Sequence, residues 1–330
     1  MRYPGRACLL GEHTDWAGGA SLVVPLPLGL QVSVEPGRRG VRVRTVLGQE
    51  LFDTTFPEEG RNHPADGPLR LVGAAIAFLA ERSIAPGPAQ VWIHGDLPPG
   101  RGFSSSAACA LGVLDALSRL AGAPQDADTL AEWAYAVEHD RVGVPCGRLD
   151  PLASAAGAPA FLRWIEGRAQ IRRVRPLRPV HLVAARFDGP RDTAGILAAW
   201  QRVARGEVQP TDGDGAVAAV REALATFGSE AEAGTHALGN GDLAGLGRAM
   251  DRCEEAYARA AARVPALAAP RLRKAVAAAR AAGALGAKFS GAGGDGSLVA
   301  LFADKDAAAA GAAGLAGLVD DAFLLRVDAP

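Results

Sequence analysis

Pro98-Pro99-Gly100-Arg101-Gly102-Phe103-Ser104-Ser105-Ser106-Ala107 is the stretch on which the reading of this chain turns. It follows Val91-Trp92-Ile93, an apolar segment that reads as a strand, and precedes Ala108 to Leu117, an Ala/Leu-rich run with helical spacing. Gly100 and Gly102 let the backbone come close to a ligand with no Cβ in the way. Ser104, Ser105 and Ser106 fall at the cap and first turn of the predicted helix, where free N–H groups and the macrodipole attract anions. Strand, glycine turn, serine cluster and helix together read as a phosphate cradle. Serine is also a good cap in its own right, so the stretch alone carries two readings, a structural cap and a phosphate site. No Gly-Lys-Ser/Thr triplet occurs in the chain, so the loop is not of the Walker A kind.

Two further segments bear on that choice. The first is Pro4-Gly5-Arg6-Ala7-Cys8-Leu9-Leu10-Gly11-Glu12-His13-Thr14-Asp15-Trp16, where a strand-like core from Ala7 to Leu10 gives way to Glu12, His13 and Asp15. Such a polar cluster is expensive to bury without partners. Two carboxylates and an imidazole offer the hydrogen bonds that a polyol's hydroxyls need. The rival reading is a metal site, for which one histidine with no neighbouring His or Cys is a thin ligand set. The second segment is Ala287-Lys288-Phe289-Ser290-Gly291-Ala292-Gly293-Gly294-Asp295-Gly296, followed by the apolar run to Phe302. Gly291, Gly293 and Gly296 match a dinucleotide fingerprint in spacing, but a strand follows them rather than a helix. The segment therefore reads as a hairpin loop between two strands, able to close over a ligand.

In this order the three segments resemble the GHMP kinase superfamily (galacto-, homoserine, mevalonate and phosphomevalonate kinases), and the likeness runs from Pro4 to Phe302. Gly5-Arg6 leading to Gly11-Glu12-His13-Thr14-Asp15 is similar to the galactokinase signature. A fourth segment, Val137-Glu138-His139-Asp140-Arg141-Val142-Gly143-Val144-Pro145-Cys146-Gly147-Arg148-Leu149-Asp150-Pro151, is similar to the galactokinase stretch that holds a magnesium-linked carboxylate and the catalytic aspartate. The resemblance implies an α+β protein of two domains, 1–172 and 173–330. Each would have mixed sheets with helices packed on one face, with ATP and substrate in the cleft between them. It implies ATP and Mg²⁺ as cofactors and a sugar 1-kinase as the activity.

Position by position, the resemblance assigns the ATP phosphates to Pro99, Gly100, Arg101, Gly102, Phe103, Ser104, Ser105, Ser106 and Ala107. Gly291, Gly293 and Gly294 would close over them. Ser106 and Glu138 become the Mg²⁺ ligands, both hard oxygen donors; a bare reading of Glu138 is a solvated helix face. Asp150 becomes the group that accepts the acceptor's proton, against the plain reading of a turn Asp before Pro151. Arg6 would stabilise charge on the transferring phosphoryl group, against the plain reading of a salt-bridge partner at a strand edge. Glu12, His13 and Asp15 would meet the acceptor. The chain also departs from the galactokinase pattern. Cys8 and Trp16 replace an Asn and a Tyr, Arg101 replaces a glycine, and Phe289-Ser290-Gly291 looks more like the phosphomevalonate kinases. Arg148, two residues before Asp150, would either hold a substrate carboxylate or pair with Asp140 or Glu138.

Charge argues for the acceptor class. Glu12, Asp15 and Asp150 would repel anions such as mevalonate and suit a neutral monosaccharide, so galactose phosphorylated at C1 is the leading acceptor. A kinase for a sugar acid such as a uronate or for another non-galactose acceptor of the mevalonate type, or a silent ATP- and sugar-binding sensor on the same fold, are the alternatives. With 330 residues, 49% of them hydrophobic, the chain can bury a large core. A net charge of −1 points to neither nucleic acid nor a membrane surface as partner. No basic segment followed by an apolar stretch opens the chain, and its four cysteines form no CxxC pair, so a cytoplasmic enzyme with reduced thiols is expected. Periodicity predicts strands over 22–30, 31–34, 41–46, 90–93, 180–186, 286–290, 297–302 and 322–327. Helices are predicted over 69–81, 104–121, 126–140, 193–205, 216–227, 231–249, 250–283 and 304–317, with Asp150 on a loop.

Overall fold

Eleven strands and ten α-helices are formed by the described residues of the computed structural model, which are 1–47, 50–58, 67, 69–100, 102–166, 168–189 and 192–328. The chain divides into two compact units, one of residues 1–6 with 25–157, the other of 7–24 with 158–330. The strands β1 (Arg2–Leu10) and β2 (Gly19–Pro36) each begin in one unit and end in the other.

In the first unit the later half of β2 pairs antiparallel with β5 (Ala89–Gly95). β5 runs parallel to β3 (Val41–Leu47), and β3 pairs antiparallel with β4 (Glu50–Phe56). One face of this sheet carries Val32, Val41, Val43, Val91 and Ile93 into a core shared with α2 (Arg70–Glu81) and α3 (Ser105–Leu120). Period-2 burial along β3 and β5 fits a sheet covered on one side. After α3 come α4 (Ala127–Ala136), a π-helical turn over Val137–Arg141, and α5 (Leu149–Ala156).

In the second unit the opening half of β2 pairs with β6 (Ala160–Ile165), and β6 with β7 (Arg168–Arg173). A second sheet, fully antiparallel, has the order β11-β8-β10-β9, from β8 (Val180–Arg186), β9 (Gly286–Phe289), β10 (Ser297–Phe302) and β11 (Asp321–Val327). The helices α6 (Thr193–Ala204), α7 (Ala216–Gly239), α8 (Leu243–Ala261), α9 (Pro270–Ala281) and α10 (Lys305–Gly314) belong to this unit, as does the four-residue α1 (Thr14–Ala17). Every residue of β9 and β10 is buried, and the two strands are apolar apart from Lys288 and Ser297.

The structure departs from the predicted elements in five places, each with a physical reason. The strands expected over 22–30 and 31–34 are one 18-residue strand. Pro25 and Pro27 lie within it, between the span paired to β6 (19–23) and the span paired to β5 (30–36), and β1 pairs with the same strand. The helix expected over 126–140 turns π-helical from Val137. The three helices expected over 216–283 break instead at Asn240-Gly241 and around Pro265. β4, β6 and β7 were not anticipated; β4 and β7 are largely exposed and polar and lack alternation. Asp150 lies in the first turn of α5 rather than on a loop, because Asp-Pro also opens helices, where proline's missing N–H costs nothing.

Helix α8 lies against β9 with backbone touching backbone. A Cβ on Gly247 would run into the Leu285 carbonyl, and one on Gly286 into the backbone of Gly247. Gly247→Ala is therefore expected to cost about 1–3 kcal/mol by overpacking. Gly239→Ala, at the exposed end of α7 with open space around it, is expected to change stability by less than about 1 kcal/mol. Urea unfolding of the two variants beside the parent checks the contrast.

Candidate active site

The middle of β1 approaches the Gly/Ser loop more closely than a side chain would allow. The Arg6 N–H donates to the Phe103 carbonyl at 3.2 Å, and a Cβ on Gly5 would stand 2.6 Å from that same oxygen. Gly5 is thus required by contact, and Arg6 next to it is delivered into the interior. The Arg6 side chain, 4% exposed, donates from Nη1 to the Gly102 carbonyl at 2.6 Å, and from Nε and Nη2 to Asp150 Oδ1 at 2.9 and 2.5 Å. The Asp150 side chain remains one-third exposed. Ser154, one turn further along α5, donates to the Pro4 carbonyl at 2.6 Å and ties that helix back to β1.

At the start of α3 the cap residue Ser104 is left-handed (φ 61°, ψ 34°), a region that serine rarely occupies and that structure must impose. Its Oγ is buried and, among the described residues, makes no hydrogen bond. Ser105 Oγ accepts the Gly100 N–H at 3.0 Å. Phe103 is fully buried and anchors the loop, while Gly100 faces open space. The helix N-terminus with its orphaned hydroxyl has the chemistry of an anion site. Pro99 and Ala107 flank this turn; Arg101 lies outside the described residues.

Glu138 sits on the π-helical turn and is hydrogen-bonded to Ser106. Burial, helped by the nearby charge of Asp150 and opposed by the Ser106 bond, pushes its pKa up to about 7. A half-buried carboxylate beside a second one is stabilised by a divalent cation. A serine oxygen and one carboxylate are a donor set that suits Mg²⁺, an ion that keeps waters and phosphate oxygens as its other ligands. The residues present fit the ion.

Arg148 is engaged elsewhere. Its Nε bonds both Glu132 oxygens at 3.0 and 2.9 Å, and its guanidinium lies 3.9 Å over the Tyr135 ring, which in turn stacks on His139. Neither Asp140 nor Glu138 is the hydrogen-bonded partner expected for it.

In the second unit Glu12 and His13 are buried, 1% and 5% exposed, and Asp15 is half-buried. Glu12 Oε1 is ion-paired with Lys288, which is wholly buried and also donates to the Phe289 carbonyl at 2.5 Å. His13 is left-handed (φ 66°) and packs its ring 4.9 Å from that of Trp200. Gly291, Gly293 and Gly294 belong to the β9–β10 turn, all at positive φ. The Gly294 N–H donates to the Tyr257 hydroxyl at 2.7 Å, and the Trp200 indole donates to the Ala292 carbonyl at 3.3 Å. Ser290 Oγ accepts the Cys8 N–H at 3.0 Å. Glu254 accepts the Phe289 N–H at 2.9 Å, and burial pushes its pKa up to about 7 against that bond and the Lys288 charge.

Lys288, Glu254, Tyr257 and Trp200 were not singled out from the sequence. A signal for Glu254 was there: Met250, Cys253, Glu254 and Tyr257 follow the spacing of a buried helical stripe, so a carboxylate stands where an apolar side chain belongs. Lys288 is likewise a lone charge in an otherwise apolar strand.

Family comparison decides what kind of protein carries these groups. The description "GHMP kinases N terminal domain" matches residues 70–158, and "GHMP kinases C terminal" matches 235–318. The chain belongs to the GHMP kinase family. GHMP kinases are phosphotransferases that use ATP. Over 99% of its length this GHMP kinase is similar to Lactococcus lactis galactokinase complexed with galactose, at 19% identity, TM-score 0.80 and 92% of that chain. It is similar over 99% to L. major mevalonate kinase in complex with R-mevalonate, at 21% identity, TM-score 0.76 and 95% of that chain. It is also similar over 98% to Streptococcus pneumoniae phosphomevalonate kinase in complex with phosphomevalonate and AMPPNP, at 17% identity, TM-score 0.76 and 99% of that chain. Identities this low establish a shared fold. No helix among the described residues is long and apolar enough to cross a membrane.

Glu254 yields a pH prediction. Its carboxyl has a folded pKa near 7 against 4.5 for the free group, so between those values the folded protein holds a proton that the unfolded chain has released. Stability from this group is present below about pH 4.5 and is lost as pH rises through about 7. Glu254→Gln keeps an acceptor for the Phe289 N–H and removes the titration. Relative to the parent it is expected to gain up to about 3 kcal/mol in unfolding free energy between pH 4.5 and 8. Denaturant titrations at several pH values measure the difference; a gap that does not change with pH overturns it.

Proposed function

We propose that this GHMP kinase transfers the γ-phosphoryl group of ATP to a hydroxyl of a monosaccharide, with the C1 hydroxyl of galactose or a close relative as the first acceptor. The observation that carries the reading is the Arg6 guanidinium, shared between the Asp150 carboxylate and the Gly102 carbonyl of the Gly/Ser loop. Phosphoryl transfer needs positioning and charge neutralisation more than covalent catalysis, and this arrangement supports both. The start of α3, with the orphaned Ser104 hydroxyl and open space beside Gly100, would receive the phosphates on backbone N–H groups. Arg6 would place its charge beside the transferring group while holding the Asp150 carboxylate in register with the loop. Asp150, still partly exposed, would take the proton of the acceptor hydroxyl. The acceptor oxygen then forms a bond to phosphorus, the bridging oxygen to the β-phosphate is released, and ADP departs. Ser106 and Glu138 would hold Mg²⁺, which when bound neutralises phosphate charge.

A monosaccharide is favoured by the Gly11-Glu12-His13-Thr14-Asp15 segment and its likeness to the galactokinase signature. One observation supports a second reading. Arg6 and Lys288 cancel the charges of Asp150 and Glu12, so two of the three carboxylates counted against an anionic acceptor are compensated, and a mevalonate-type acceptor stands second. A sugar acid held by Arg148 loses its support, since Glu132 and Tyr135 occupy that guanidinium.

ADP release measured over hexoses, uronates, mevalonate and amino-acid alcohols tests the acceptor; turnover of a neutral sugar above all others is expected. Preference for mevalonate moves the acceptor to the second reading, and sugar binding with no ADP release makes the protein a sensor. With the preferred acceptor, Asp150→Asn and Arg6→Ala are each expected to lower kcat by about a hundredfold or more while ATP still binds. Near-parental turnover in both variants overturns the assigned roles.

A further inference from the structure

Lys288 has no part in the mechanism above, yet among the described residues of the second unit it is the most deeply buried charged residue. It lies on β9 with no solvent exposure, and a buried ammonium persists only with an anion and acceptors around it. Glu12 supplies the anion and the Phe289 carbonyl an acceptor at 2.5 Å, with the Phe289 ring 4.3 Å from Nζ. From α8, Cys253 and Glu254 face the same charge.

The ion pair is one of three ties between the same two segments. Cys8 and Ser290 are joined by a backbone-to-hydroxyl bond at 3.0 Å. His13 packs on Trp200, whose indole holds the Ala292 carbonyl. All three join residues 8–13, which lead into the Glu12–Asp15 cluster, to residues 288–292, which lead into the glycine turn. His13 is held in a left-handed conformation that an isolated loop would relax, so the ties do mechanical work on this segment. Of the three, the ion pair is the one that joins two formal charges, both buried.

We propose that Lys288 is a positioning residue for acceptor recognition: by holding Glu12 it fixes the 11–16 loop to the glycine turn, so that the two behave as one element. The inference rests on the reading of Glu12 and Asp15 as acceptor-binding residues. Lys288 acts through Glu12 and touches no reacting atom.

Hydrogen exchange followed by mass spectrometry on the full chain, together with steady-state kinetics, tests it. In Lys288→Met, amides of residues 11–17 are expected to exchange about tenfold faster or more, with those of α2 and α3 unchanged. The acceptor KM is expected to rise about tenfold or more while the ATP KM stays within about threefold. Lys288→Arg, which keeps the charge, is expected to recover part of both effects. Because Lys288→Met takes away the cation paired with the buried Glu12 carboxylate, the double variant Glu12→Gln/Lys288→Met provides a folded comparison. Its acceptor KM is expected to be no higher than that of Glu12→Gln alone, since the two residues act as a unit.

Unchanged protection of residues 11–17 overturns the proposal, as does faster exchange spread evenly over the chain with no split between the two KM values. Independent, multiplying effects of the two substitutions on acceptor KM also overturn it. Should the parent prefer an acceptor other than a monosaccharide, the cycle is run on that acceptor, and if it turns over none the exchange result decides alone. Failure of the sugar reading is thereby separate from failure of this one.

Discussion

A guanidinium almost wholly withdrawn from water must find its partners inside the protein, and for Arg6 those partners tie together β1, the Gly/Ser loop and α5. Three of its donors are spent on Asp150 and on the Gly102 carbonyl. Satisfying them requires β1 to pass against the Gly/Ser loop at its midpoint, α5 to carry an acidic residue in its first turn, and that loop to turn a carbonyl inward rather than outward. Gly5 follows from this, because a side chain there would push β1 off the Phe103 carbonyl. So does the Ser154 bond to the Pro4 carbonyl, which keeps the first turn of α5 at the right height. Breaking one partner of such a buried pair strands the other charge, a penalty larger than the net worth of the pair itself. The constraint is thus as much about what must not be left alone as about what is gained.

The backbone around that pair was largely legible in the chain. Strand, glycine turn, serine cap and helix follow one another as the residues predict, and the glycine segment at 291–296 does turn between two antiparallel strands. Local chemistry carries such features, since caps and turns are decided within a few residues. Elements whose state depends on distant partners were the ones misread. β2 is continuous because β6 and β5 take its two halves while β1 also pairs with it, which no pattern within 19–36 reveals. The π-helical turn that presents Glu138 has no local signature; it interrupts α4, and beyond it Arg141 reaches back to Glu81 on α2.

Side-chain partnership was harder to foresee than backbone. Arg148 was offered two carboxylates close in sequence, Asp140 and Glu138, and is bonded to Glu132 instead. The Tyr135 ring beneath it explains the preference, since stacking fixes the plane of the guanidinium and only Glu132 meets its edge with both oxygens. Glu12 was counted as a free carboxylate because Lys288 lies 276 residues away. Charges that look alike along the chain are not alike once folded, and burial is what separates them.

Each unit repeats one device. A motif carboxylate is held by a buried cation, Asp150 by Arg6 and Glu12 by Lys288, with the cation pinned in turn by a backbone carbonyl, that of Gly102 or of Phe289. The two cations differ in kind for a physical reason. Arg6 must serve two partners in different directions from a planar fork, which suits a guanidinium. Lys288 serves partners converging on a point, and a compact ammonium fits among Phe289, Cys253 and Glu254 with no plane to accommodate. It follows that the number of carboxylates in these motifs says little about the charge an acceptor would meet. Recognition through such groups would depend on where their oxygens are held, and a neutral polyol, whose hydroxyls both donate and accept, is the ligand most sensitive to that placement. An anion would sense chiefly the summed charge, which the paired cations have already reduced.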